Sequence, residues 1–182
     1  MNSEEHLLQR ARECDDEALS ELYDQYSPAI YRYLYRRVQN AQVAEDLTGD
    51  VFVRMLRALQ DGRFSNVSFE SWLYRIAHNI VIDHYRRGVS DKELDVELDE
   101  GQMADGEKLE AVLTERLSHR SIRTAIAHLT PAQQEVLALR FGEGMATKDV
   151  ASVMGKRPNA VAVLQHRALA SLRRILESME RG

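Results

Sequence analysis

Residues 69–87 read FESWLYRIAHNIVIDHYRR. Trp72, Leu73, Ile76, Ala77, Ile80 and Val81 recur at three- and four-residue steps, with no proline or glycine between them. That period places one apolar stripe along a helix and sends the arginines and Asn79 elsewhere on its surface. The same pattern extends in both directions, and period-two alternation is absent. The chain is therefore read as all-α: two small helical domains joined by an acidic linker, the second holding a helix-turn-helix.

Upstream, residues 43–60 form a helix whose Leu47, Val51, Met55 and Leu59 step by four, with Phe52 and Leu56 widening the stripe. Gly62 ends it. Before it, Asp16–Tyr26 and Ala29–Val38 are predicted as two helices, parted at Ser27-Pro28 because proline cannot donate in a helix interior. Downstream, a helix begins near Lys108 and runs, with room for a break, to Leu129. Thr130-Pro131-Ala132-Gln133 combines an N-cap, a first-turn proline and a capping-box glutamine. The helix it opens carries Val136, Leu137, Leu139 and Phe141 and stops at Gly142. Thr147 caps a short helix over Lys148–Met154, Gly155-Lys156-Arg157 turns, and Pro158 opens a helix to about Ser178. A short helix, a glycine turn and a longer basic helix form the helix-turn-helix pattern.

The 182 residues carry a net charge of −5, which on its own argues against a nucleic-acid partner. The distribution is uneven: residues 1–88 carry −3, residues 89–120 carry −6 and residues 121–182 carry +4. Residues 89–106 lack aromatics and are read as a flexible acidic linker between domains 1–88 and 107–182. Of the 24 basic residues, 20 are arginines, the side chain suited to phosphate and guanine. The single cysteine, Cys14, excludes an internal disulfide and is read as a small apolar helix residue. The start is too polar for a signal peptide, and no apolar run reaches the ~20 residues of a membrane helix. A cytoplasmic protein without membrane contact is expected. No histidine spacing, phosphate loop or nucleophile motif points to catalysis, so no enzyme, metal or cofactor is expected.

Two clusters carry chemistry. Arg63, Phe64, Trp72, Tyr74, Arg75, His78, Asn79, Tyr85, Arg86 and Arg87 interleave aromatics with cations, which suits a single strand whose bases stack while its backbone follows the charge. Core packing is the competing reading for Trp72, and a surface or capping role for His78. On the last helix, Val161, Leu164, Ala168, Leu172 and Ile175 form a buried stripe. Lys156, Arg157, Asn159, Gln165, His166 and Arg167 lie at its start or outer face, where base-edge readers and phosphate clamps belong. Arg167 suits guanine; Gln165 or Asn159 suits adenine. A solvated basic face is the alternative.

Taken together these residues resemble the group IV, extracytoplasmic-function sigma factors of the sigma-70 family. Ala44–Arg54 is similar to region 2.2; Phe69–Asn79, continuing through Asp83 to Arg86-Arg87, to regions 2.3 and 2.4; and Leu129–Ile175 to region 4, with its Leu-Thr-Pro start and its His166-Arg167-Ala168 and Leu172-Arg173 end. The resemblance implies a non-enzymatic promoter-specificity subunit of RNA polymerase. Glu45, Asp46, Leu47, Asp50, Val51 and Arg54 would face the coiled coil of the beta-prime subunit, and the beta subunit is a further expected partner. Arg63, Phe64, Ser65, Asn66, Trp72, Arg75, His78, Asn79, Arg86 and Arg87 would capture and hold the −10 element. Lys156, Arg157, Asn159, Ala162, Val163, Gln165, His166 and Arg167 would read the −35 element. An anti-sigma protein is the expected regulator.

The chain departs from the family pattern at three places. Ala162 and Val163 replace the usual cation and small polar residues. Gly49-Asp50 replaces a Gln-Glu pair. Arg157 stands where a serine cap is usual. Rival readings are a dimeric helix-turn-helix regulator that needs no polymerase and a sigma-like adaptor that binds only protein.

Overall fold

The computed structural model describes residues 3–64, 67–88 and 119–182. All regular structure among them is helical. They are α1 (Ser3–Arg12), α2 (Asp16–Val38), α3 (Ala41–Gln60), α4 (Phe69–Gly88), α5 (119–127), α6 (Pro131–Leu137), α7 (Thr147–Met154) and α8 (Pro158–Glu180). They fall into two compact units: residues up to 88 together with 148–156, and residues 119–147 together with 157–182. The expected linker 89–106 and the helix start near Lys108 lie outside the described residues.

In the first unit α1, α2 and α3 pack on one another and α4 packs on α2 and α3. The core between them holds Leu22, Ile30, Tyr33 and Leu34 of α2, Val51, Met55 and Leu59 of α3, and Phe69, Leu73, Tyr74 and Val81 of α4. Tyr33 and Tyr74 meet edge to face with centroids 5.5 Å apart. Helix ends follow local chemistry. Asp15 caps α2 by accepting from the Glu17 and Ala18 amides, and its carboxyl lies below the usual range because of the Arg10 hydrogen bond first and these amides next. Asn40 caps α3 from the Val43 amide, which moves the start two residues ahead of the sequence expectation.

Two expectations fail here. α2 runs unbroken through Pro28. The ring removes one donor and costs about 3 kcal/mol in a helix interior, but Leu22 on one side and Ile30, Tyr33 and Leu34 on the other are all buried. Continuous burial holds the two halves in line, and Pro28 itself lies on the exposed side. Cys14 is not helical. It occupies the turn between α1 and α2 with φ 59°, exposed, its Sγ accepting from Gln60 Nε2 at 2.9 Å.

The second unit packs α6 on α8, with Ala125, Leu129, Val136, Leu139, Val161 and Ala168 buried. The Thr130–Gln133 capping box forms with both bonds present, and residues 138–142 continue α6 as one wide π turn. Gly155 turns the chain at φ 63°, where a Cβ would be strained, and Pro158 opens α8. Short helix, glycine turn and long helix follow in the expected order.

Candidate nucleic-acid interface

Phe64, Phe69 and Trp72 form a three-ring cluster at the start of α4. Phe64 and Trp72 are 4.9 Å apart, Phe69 and Trp72 5.7 Å, and Phe64 and Phe69 5.9 Å. Phe69 is buried, whereas Phe64 and Trp72 are half-buried. Trp72 therefore combines both readings: one face of its surroundings is core and the rest is open. Ser68 fixes this helix start, its Oγ accepting from the Ser71 amide at 3.2 Å and its hydroxyl donating to Ser71 Oγ at 2.8 Å. Trp72, Arg75, Asn79 and Arg86 share one stripe of α4 at helical spacing. Arg75, Asn79, Arg86 and Arg87 are exposed, and His78 is half-buried. Arg63 is exposed and ion-paired with Asp61 at 3.1 Å. Ser65 and Asn66 lie outside the described residues. The arrangement offers a partly open aromatic platform beside a row of cations, which can stack a base and follow its backbone.

On α3, Glu45, Asp46 and Asp50 are exposed and Leu47 is half-buried. Val51 has no exposed surface. It faces the core as part of the apolar stripe, so it supports this surface and cannot touch a partner directly. Arg54 is exposed but paired with Asp83 of α4 at 3.3 Å. Two exposed apolar residues nearby escaped the sequence reading: Val53, and Tyr23, whose ring tilts against Phe52 at 4.8 Å. Both interrupt otherwise polar faces, and that was the available signal.

Asn159, Ala162, Val163, His166 and Arg167 of α8 are exposed, as are Lys156 and Arg157 in the turn that precedes it. Arg157 makes no side-chain cap, which leaves its cation free of the helix end. At about 100° per residue, Asn159, Val163 and His166 lie opposite the buried Val161 and Ala168 and form the centre of the outer face. Gln165 is placed differently from expectation. It follows Val161 by one turn, is half-buried, and its Oε1 accepts from Arg140 Nε at 2.9 Å. Arg140 also donates to the Met145 carbonyl. Because an arginine only donates, Gln165 must turn its oxygen inward. It ties α8 to the π turn and is poorly placed to pair with adenine. Arg140 was missed, since nothing in the sequence relates positions 25 apart.

Among the described residues, no His, Cys, Asp or Glu group is placed to hold a metal ion. None of their helices is long and apolar enough to cross a membrane.

Sigma-70 region 2 matches residues 22–90, and sigma-70 region 4 matches residues 119–172. The chain is similar to the ECF RNA polymerase sigma factor BldN of Streptomyces coelicolor, 37% identical over 93% of this chain. It spans 64% of that relative's length. It is also 30% identical to the RNA polymerase sigma factor YlaC of Bacillus subtilis, over 87% of this chain and 91% of the relative. Its fold resembles the solved structure of CnrH in complex with the cytosolic domain of CnrY. The TM-score is 0.70 and identity 23%, covering 94% of this chain and 96% of that one.

Proposed function

Because the chain belongs to the extracytoplasmic-function sigma factors of the sigma-70 family, a promoter-directing subunit of RNA polymerase, we propose that its work divides between α4 and α8. α4 captures a −10 base at Phe64 and Trp72, with Asn79 beside them and Arg75, Arg86 and Arg87 on the strand backbone. α8 enters the −35 major groove with Asn159, Val163 and His166 central, Ala162 and Val163 suited to thymine methyls, and Lys156, Arg157 and Arg167 on phosphate or guanine. Glu45, Asp46 and Asp50 on α3 meet the beta-prime coiled coil, with Leu47 and Arg54 at its margin.

The observation that carries this reading is the half-open Phe64–Trp72 pair beside an exposed row of arginines and Asn79. A duplex regulator has no use for it. Unstacking a base costs a few kcal/mol, and a shaped aromatic site returns that cost selectively. The CnrH structure, a complex with another protein's cytosolic domain, supports a protein regulator for this chain too; an anti-sigma factor is the partner we propose. The protein works in the cytoplasm.

Run-off transcription with core polymerase and genomic fragments tests the reading. Holoenzyme formation with discrete starts is expected. DNA binding by the chain as a dimer, without core, supports the regulator instead. Binding to protein alone supports the adaptor.

A further inference from the structure

α1 lies ahead of the residues that match sigma-70 region 2, yet it reaches the aromatic cluster. The Tyr26 hydroxyl donates to Glu4 Oε1 at 3.0 Å across 22 residues. The Tyr26 ring stands edge-on to Phe69 with centroids 5.1 Å apart, and Phe69 touches both Phe64 and Trp72. A continuous path therefore runs from the first turn of α1 to the ring left half-open on α4. Burial, and then the Glu4 carboxylate, push the Tyr26 hydroxyl above its ordinary titration range, so it stays a donor.

We propose that Glu4 and Tyr26 are positioning residues for base capture: α1 sets the pose of Phe69 and, through it, of Phe64 and Trp72. The proposal rests on the reading of Trp72 as part of the −10 pocket. α1 does not depend on this bond to dock. Leu7, Leu8 and Ala11 are buried, and the Arg10–Asp15 ion pair at 2.7 Å holds its other end. Cutting the Glu4–Tyr26 link should therefore leave the helix in place while loosening the ring stack. A tightly packed aromatic contact has few alternative poses, so a small release at Tyr26 reaches Trp72.

The test uses the full chain with core polymerase and a promoter selected by run-off transcription. Trp72 is the sole tryptophan, so its emission reports on the cluster directly. Tyr26→Phe and Glu4→Ala should shift that emission and slow open-complex formation about fivefold, the ratio that one hydrogen bond's net worth gives. Holoenzyme formation should be unchanged, and Glu4→Gln, which keeps an acceptor oxygen, should restore both readouts. Unchanged emission and melting in Tyr26→Phe and Glu4→Ala overturns the proposal. So does a parallel loss of core binding, which marks a general prop. Trp72→Ala separates the two levels: normal melting there removes the pocket itself, whereas a defect there with none in Tyr26→Phe removes only the role of α1.

Discussion

α4 and α8 have similar lengths, 20 and 23 residues, and opposite support. α4 buries seven residues, and α8 buries only Val161 and Ala168, with Leu164, Leu172 and Ile175 half-buried. The difference fits the two contacts proposed for these helices. Capturing an unstacked base would need a pocket whose walls stay put, and α4 is embedded in a core and exposes only a stripe. Reading a groove would need an outer cylinder free on most sides, and α8 is held along one edge and pinned by Arg140.

The same truncation on each helix should break or support that contrast most strongly. Leu73 has no exposed surface, so Leu73→Ala should lower unfolding stability by about 2–5 kcal/mol. Leu172→Ala, half-exposed on α8, should cost well under half as much. Equal losses in denaturant titration would show that α8 is embedded as firmly as α4. The next effect is functional. Trp72→Ala should lower open-complex formation about 10- to 100-fold, the range for one stacked base, while binding to core polymerase is kept. Asn79→Ala should impair melting more than duplex binding; unchanged melting would take it out of the pocket.

The contrast also explains what the sequence could disclose. The helical period of α4 is unmistakable because seven buried residues enforce it. Thr130 marks its helix start in the sequence because the capping box is a short-range pattern, whereas the Asn40 cap was overlooked and starts α3 two residues early. Pro28 misleads because its penalty is local while the packing that overrides it comes from other helices. Val51 combined two signals, a place in the apolar stripe and a place in the region 2.2 resemblance, and its burial decides between them. Gln165 was placed outward by its polarity, although one turn after Val161 is the inner flank. Only the bond to Arg140, formed across the fold, reveals its position. The half-open state of Trp72 was equally out of reach, since periodicity assigns it to the stripe and chemistry to the strand.

On the α8 side, Arg167→Ala should weaken −35 duplex binding by about 1–3 kcal/mol without altering holoenzyme formation. Loss of core binding in step would place Arg167 elsewhere. Gln165→Ala and Arg140→Ala should each cost about 1 kcal/mol of stability, and Gln165→Ala should leave base preference at the −35 element intact. A changed preference would return Gln165 to the reading face.

The last effect has the opposite sign. Gly49 lies exposed in the middle of α3, and a Cβ placed there meets nothing within 4 Å. Gly49→Ala should raise the stability of the first unit by about 1 kcal/mol, the helix-propensity difference alone. It leaves the buried stripe of α3 untouched, so any change in polymerase binding must arise at the outer face. Stabilisation with unchanged affinity would mean that this glycine is a tolerated weakness in a helix held by its core. Stabilisation with reduced affinity would mean that the partner approaches the α3 backbone closely at Gly49, and that the first unit gives up local stability where it meets another molecule.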